Sequence, residues 1–134
     1  MVGFILASHS EFSVGLKKAA EMVFGEQENM EAVSLLPKES ADDLREKLLE
    51  AISHMEDQNN IVIFTDLYGA TPFNQAKKVL EGHEDKWAVV AGMNLPMMIT
   101  AIVNRMGPST AKEVAHSVLK DSKNSIRIYP AEAE

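Results

Sequence analysis

Short, almost wholly apolar runs alternate along this chain with longer stretches in which apolar residues recur every three or four positions. The first run, Val2-Gly3-Phe4-Ile5-Leu6-Ala7, ends at Ser8-His9-Ser10. Continuous hydrophobicity over so few residues predicts a strand buried on both faces. Ile61-Val62-Ile63-Phe64-Thr65 has the same character and stops at Asp66. Glu31 to Leu36, closed by Pro37, and Trp87 to Ala91, followed by Gly92, predict two more strands.

Between these runs the period becomes helical. Residues 11–24 set Phe12, Leu16, Ala19, Ala20 and Val23 on one expected inner face and stop at Gly25. Ser40-Ala41-Asp42-Asp43 reads as a capping box opening a helix with Leu44, Leu48, Ile52 and Met55 turned inward. Thr71-Pro72 predicts an N-cap followed by proline at the first helical position, with the helix running to Glu81. Gly92-Met93-Asn94-Leu95-Pro96 repeats the glycine turn and proline start, opening a helix to Met106 with Met97 and Met98 in its core face. A last helix over 109–121 precedes Ser125-Ile126-Arg127-Ile128-Tyr129, whose alternation fits a half-exposed strand, at an edge or added antiparallel.

Repeated β-α units imply a three-layer, doubly wound α/β fold with a mainly parallel sheet, and 134 residues fit one domain, 1–134. Such sheets hold ligands beyond the carboxyl ends of their strands, where the strand order reverses. His9, Asp66 and Asn94 are therefore expected on one rim.

A net charge of -7, with lysines clustered only as Lys17-Lys18 and Lys77-Lys78, speaks against a nucleic-acid surface. The absence of cysteine removes disulfide and thiolate chemistry and suits the cytoplasm. The apolar start is too short for a signal core or a membrane span. Neither a P-loop nor a dinucleotide fingerprint occurs, and no cofactor is implied. His9, His54, His83 and His116 lie far apart without acidic companions at ligand spacing, so no metal site is expected. His54 and His116 in helices, and His83 in a turn, read as structural or solvent-facing.

Ser8, His9 and Asp66 contain the residue types of a hydrolytic triad. Neighbours at a strand end point to opposite faces, however, and the nucleophile elbow is missing. His9 can itself be the nucleophile: one imidazole nitrogen attacks phosphorus while the other keeps its proton on a fixed acceptor. Asp66 fits that acceptor. Gly69, Ala70 and Thr71 can donate to phosphate oxygens through approachable backbone N–H groups, a hydroxyl and the positive end of the next helix. Thr71-Pro72 reads equally well as an ordinary helix start.

Ser8-His9, Asp66-Leu67-Tyr68-Gly69-Ala70-Thr71-Pro72-Phe73-Asn74 and Ala91-Gly92-Met93-Asn94-Leu95-Pro96-Met97, in this order, resemble the enzyme IIA component of the mannose family of the bacterial sugar phosphotransferase system. The resemblance spans essentially the whole chain. It implies that His9 takes a phosphoryl group from phospho-HPr on Nε2, with Asp66 bonded to the other nitrogen, and passes it to a IIB component. Sugar is then phosphorylated as it crosses through the IIC and IID membrane components. The resemblance also implies a homodimer that exchanges its final strand, for which Ser125 to Tyr129 is the candidate. Where the family often has two glycines and a serine, this chain has Gly69-Ala70-Thr71, which keeps the hydroxyl. Many relatives are fused to IIB through an Ala/Pro-rich linker. Here the sequence stops at Pro130-Ala131-Glu132-Ala133-Glu134, so IIB is expected on a separate polypeptide unless the sequence has been cut.

Met93 and Leu95, in the turn, are the expected partner contacts, because flexible apolar side chains suit a surface that meets two carriers in turn. Two other functions fit parts of the pattern. One is the phosphotransfer subunit of a dihydroxyacetone kinase; the other is a receiver-like module phosphorylated on Asp66, which would also need acidic residues where Ser8-His9-Ser10 stands.

Overall fold

The structure, a computed structural model, describes residues 1–132. Ala133 and Glu134, the end of the expected domain, lie outside the described residues. In chain order the elements are β1 (Gly3–His9), α1 (Phe12–Phe24), β2 (Met30–Leu35), α2 (Ala41–His54), β3 (Ile61–Thr65), α3 (Thr71–Leu80), β4 (Trp87–Ala91), α4 (Leu95–Arg105) and α5 (Ala111–Ser122). The strands form one sheet in the order β2-β1-β3-β4, with every pair parallel.

The chain moves outward from β1 to β2, then returns to place β3 on the other side of β1. This reversal is the switch point at which open α/β sheets form their crevice. The β1–β3 register runs from Gly3 opposite Ile61 to Ala7 opposite Thr65, so the two strands end side by side.

Alternation along the strands feeds two separate cores. Phe4, Leu6, Val62 and Phe64 pack with Leu16 and Ala20 of α1, Met98 and Ile102 of α4 and Val114 of α5. Ile5, Ala7, Ile61 and Ile63 pack with Leu44, Leu48 and Ile52 of α2 and Ala76 of α3. The strand pair is locked by Phe4 and Phe64, whose rings meet edge to face at 5.4 Å.

The box at the start of α2 forms as predicted, Ser40 and Asp43 each bonding the other's backbone N–H. Thr110 and Glu113 make a second box on α5. Three expectations require correction. α3 begins at Thr71 with Ala70 as its N-cap, so Thr71 is the first helical residue and caps nothing. Phe12 and Val23 are exposed, because the buried stripe of α1 is Ser13, Leu16 and Ala20; the Ser13 hydroxyl donates to Val33 O at 2.9 Å and sets the helix's rotation. Within the single chain Ser125 to Tyr129 forms no strand and joins no ladder, and Ile126 and Tyr129 are 89% and 95% exposed. Among the described residues no helix is long and apolar enough to cross a membrane.

At the far end of the sheet from His9, Arg105 of α4 is buried and donates to Val2 O, Glu28 O, Asn29 O and Gln27 Oε1. Its guanidinium lies 4.4 Å from the centroid of Phe4, and burial pushes its pKa down to about 10. Asn29 O keeps a second donor in Phe4 N–H, but three other acceptors would lose the bond from Arg105, so Arg105→Met is expected to destabilise the fold by about 3 kcal/mol. Urea unfolding measures this, and a loss below about 1 kcal/mol would contradict the assignment.

Candidate functional site

β1 stops at His9 because Ser10 enters the left-handed region, at φ 50°, while its N–H bonds Leu35 O at 2.8 Å. β3 stops one residue before Asp66. With the strands adjacent and in register, Asp66 Oδ2 accepts from the His9 backbone N–H at 2.9 Å and lies 2.7 Å from His9 Nδ1. Asp66 Oδ1 accepts from Leu67 N–H at 2.9 Å. A carboxylate can only accept, so Nδ1 carries a proton, and in the neutral ring Nε2 keeps its lone pair. The His9 side chain is 49% exposed and that of Asp66 15%.

Burial opposes ionisation of Asp66, but the hydrogen bonds from the His9 backbone and ring, together with His9's charge when protonated, outweigh it. The carboxyl group is held below its ordinary range. A negative charge therefore faces one edge of the imidazole, and Nε2 lies on the other edge of a half-exposed side chain.

Three residues beyond Asp66, Gly69 adopts φ 84°, a conformation that other residues rarely take. The turn closes through Ala70 N–H to Leu67 O at 3.2 Å and Asn74 Nδ2 to Gly69 O at 3.1 Å. Asn74 N–H reaches back to Ala70 O, which starts α3. Thr71 and Phe73 then carry the first-turn N–H groups that no helical carbonyl can satisfy, since Pro72 has none. Gly69, Ala70 and Thr71 thus sit at the amino end of α3, three to five residues beyond Asp66.

Asn94, the third residue expected on the rim, is occupied in capping: its Oδ1 accepts from Met97 N–H at 2.9 Å. Met93 is 3% exposed and belongs to the core, which removes it as a partner contact. The Gly92 turn folds back so that Met93 N–H bonds Thr65 O, and this carries the side chain under the sheet's edge. Leu95 is half-buried against the same core. The apolar side chains exposed after the strand ends are instead Phe12, Leu36, Leu67 and Tyr68. Their sequence signal was position, each following the end of a strand within a few residues.

Ser8 is fully buried and bonded to Ser13 N–H, facing away from His9 as its alternation requires. His54 pairs with Glu31 at 2.7 Å and His83 stacks on Trp87 at 3.9 Å. His116 lines a groove of about 640 Å³ along β4, together with Asp66, Tyr68, Val90 and Leu119. Among the described residues no three His, Asp or Glu side chains come together as a metal site.

This parallel sheet, with a carboxylate-bonded, half-exposed histidine at its switch point, defines a class of open α/β protein with an imidazole at its crevice. The chain belongs to the family described as "PTS system fructose IIA component", whose model matches residues 3–119. Proteins of this mannose-type group accept phosphate from HPr and pass it to IIB. The chain is similar to the sorbose-specific EIIA component of Lacticaseibacillus casei, at 35% identity over 84% of this chain and 80% of that one. It is likewise similar to the fructose-specific EIIA component of Bacillus subtilis, at 28% over 95% and 80%. The crystal structure of an EIIA component from Streptococcus agalactiae superposes with a TM-score of 0.88 at 27% identity, covering 96% of this chain and 98% of that one. Against the mannose-specific EIIAB component of Escherichia coli the chain is 25% identical and spans 40% of that protein's length.

A carboxyl group with a lowered folded-state pKa stabilises the fold above its unfolded value, near 3.9, and that contribution disappears as pH falls through the folded value. Wild type is therefore expected to be more stable than Asp66→Asn at pH 6, with the difference shrinking below about pH 4. Urea titrations of both proteins across that range check this; a difference that grows on acidification would contradict it.

Proposed function

We propose that His9 is the phosphoryl carrier of this chain, accepting from phospho-HPr and donating to a IIB component. The observation that carries the reading is the 2.7 Å contact between His9 Nδ1 and Asp66 Oδ2, which in the neutral ring leaves the Nε2 lone pair free on a half-exposed side chain. In the transfer, the Nε2 lone pair forms the new N–P bond while the bond from phosphorus to the donor histidine breaks and returns its electron pair to the donor nitrogen. The His9 ring then carries positive charge, which the ionised Asp66 stabilises without taking the Nδ1 proton. The Thr71 N–H and hydroxyl are suited to the phosphoryl oxygens; Gly69 and Ala70, the latter with its own N–H closing the turn on Leu67 O, contribute small side chains that let those oxygens approach. Transfer onward to IIB reverses the same steps. On this reading the chain acts in the cytoplasm and meets IIC and IID only through IIB.

Both oxygens of Asp66 are engaged, by His9 and by Leu67, which disfavours phosphorylation on that carboxylate. His9→Ala is expected to lose all labelling by phospho-HPr while remaining folded, since a rim side chain adds little to the core. Labelling that persists in His9→Ala would overturn the assignment. Asp66→Asn is expected to slow transfer by orders of magnitude. The label should survive alkali and be lost in acid.

We further propose that Ser125 to Tyr129 pairs with β4 of a second copy in a homodimer. Supporting this are the open edge of β4, the apolar groove beside it, and Ile126 and Ile128 standing uncovered in the single chain. Light scattering is expected to give a dimer for wild type and a monomer for Ile126→Asp/Ile128→Asp. A monomeric wild type would contradict the proposal.

A further inference from the structure

Ser8 has no part in the chemistry above, yet its hydroxyl is buried within the turn that carries His9. Ser8 Oγ accepts from Ser13 N–H at 2.7 Å and donates to Ser10 O at 3.3 Å. Glu11, the residue at the N-cap of α1, makes no side-chain cap bond. The strand thus caps the helix that follows it, across five residues.

Ser10 holds φ 50°, a conformation unfavourable for a non-glycine residue that persists only when its surroundings impose it. Two bonds impose it here: Ser10 N–H to Leu35 O, and Ser8 Oγ to Ser10 O. His9 lies between these anchored residues, and its own N–H is held by Asp66. The direction of its Cα–Cβ bond, and hence the reach of Nδ1 to Oδ2, depends on the turn keeping this shape.

We propose that Ser8 is a positioning residue for His9, fixing the turn so that the ring meets Asp66 through Nδ1. The effect on transfer rests on His9 being the phosphoryl carrier; the effect on the ring does not. Without the hydroxyl, Ser13 N–H loses its acceptor, Ser10 relaxes from the left-handed region, and the ring separates from Oδ2. Both imidazole tautomers then become populated.

The test reads the ring nitrogens of His9 by 15N NMR alongside the rate of labelling by phospho-HPr. Wild type is expected to show a single tautomer, protonated on Nδ1. Ser8→Ala, and Ser8→Cys with similar volume and a weak acceptor, are expected to show mixed tautomers and transfer slowed about 10- to 100-fold. Ser8→Thr restores the hydroxyl and is expected to recover both. Ser13→Ala removes the neighbouring buried bond to Val33 O but keeps the Ser13 backbone donor, so it should lower stability and leave tautomer and rate unchanged. If Ser8→Ala does not fold, Ser8→Cys alone decides. Wild-type tautomer and rate in the folded Ser8 variants would overturn the proposal, as would equal changes in Ser13→Ala. Should wild type itself take no label, the carrier reading fails, while the ring nitrogens still report on Ser8.

Discussion

Asp66 Oδ2 takes two hydrogen bonds from a single residue, one from the backbone of His9 and one from its ring. The backbone bond fixes where the residue stands and the ring bond fixes how it is turned, so one oxygen determines position and tautomer together. The rest of the molecule serves this contact. It requires β1 and β3 to be neighbours ending at the same height, a result of the reversed strand order and a register that pairs Ala7 with Thr65. It also requires both strands to be immobile, and they run between two packed cores with every side chain from Phe4 to Ala7 and from Ile61 to Phe64 fully buried.

The electrostatic design follows from geometry. Asp66 is close enough to solvent to remain ionised yet sheltered enough for its charge to act strongly on the ring. An imidazole facing a permanent carboxylate is prepared to become cationic without solvent rearrangement, which is the principal demand of moving a phosphoryl group on and off nitrogen. The amino end of α3 contributes charge of the opposite sign a few residues away, which on the proposed function suits phosphoryl oxygens. A carrier must also release what it accepts. Stabilisation spread over a hydrogen-bonded pair and backbone donors suits a transfer that runs in both directions.

Much of this was legible because it is local. Continuous apolar runs marked β1 and β3, and the first polar residues after each run included His9 and Asp66. The capping box of α2 and the glycine before α4 were readable for the same reason: their physics lies within a few residues. The failures involve distant partners or small rotations. Met93 occupies a turn in the sequence, but its N–H bond to Thr65 O turns it inward. Phe12 and Val23 fall on the apolar stripe of α1 by spacing, while the buried Ser13 hydroxyl, bonded to Val33 O, rotates that stripe away. Ser125 to Tyr129 alternates as a strand should, yet it joins no edge of its own sheet, and alternation alone does not name the edge a strand will pair with. Strand order could not be read from periodicity, since it is set by crossovers rather than by any run of residues.

The central claim is that Asp66 reserves Nδ1 and thereby directs phosphorus to the opposite nitrogen. Scalar coupling between 31P and 15N in the phosphorylated, ring-labelled protein tests it most directly. The account predicts coupling to Nε2 of His9. Coupling to Nδ1, or phosphorus bound to the carboxylate of Asp66, would contradict it.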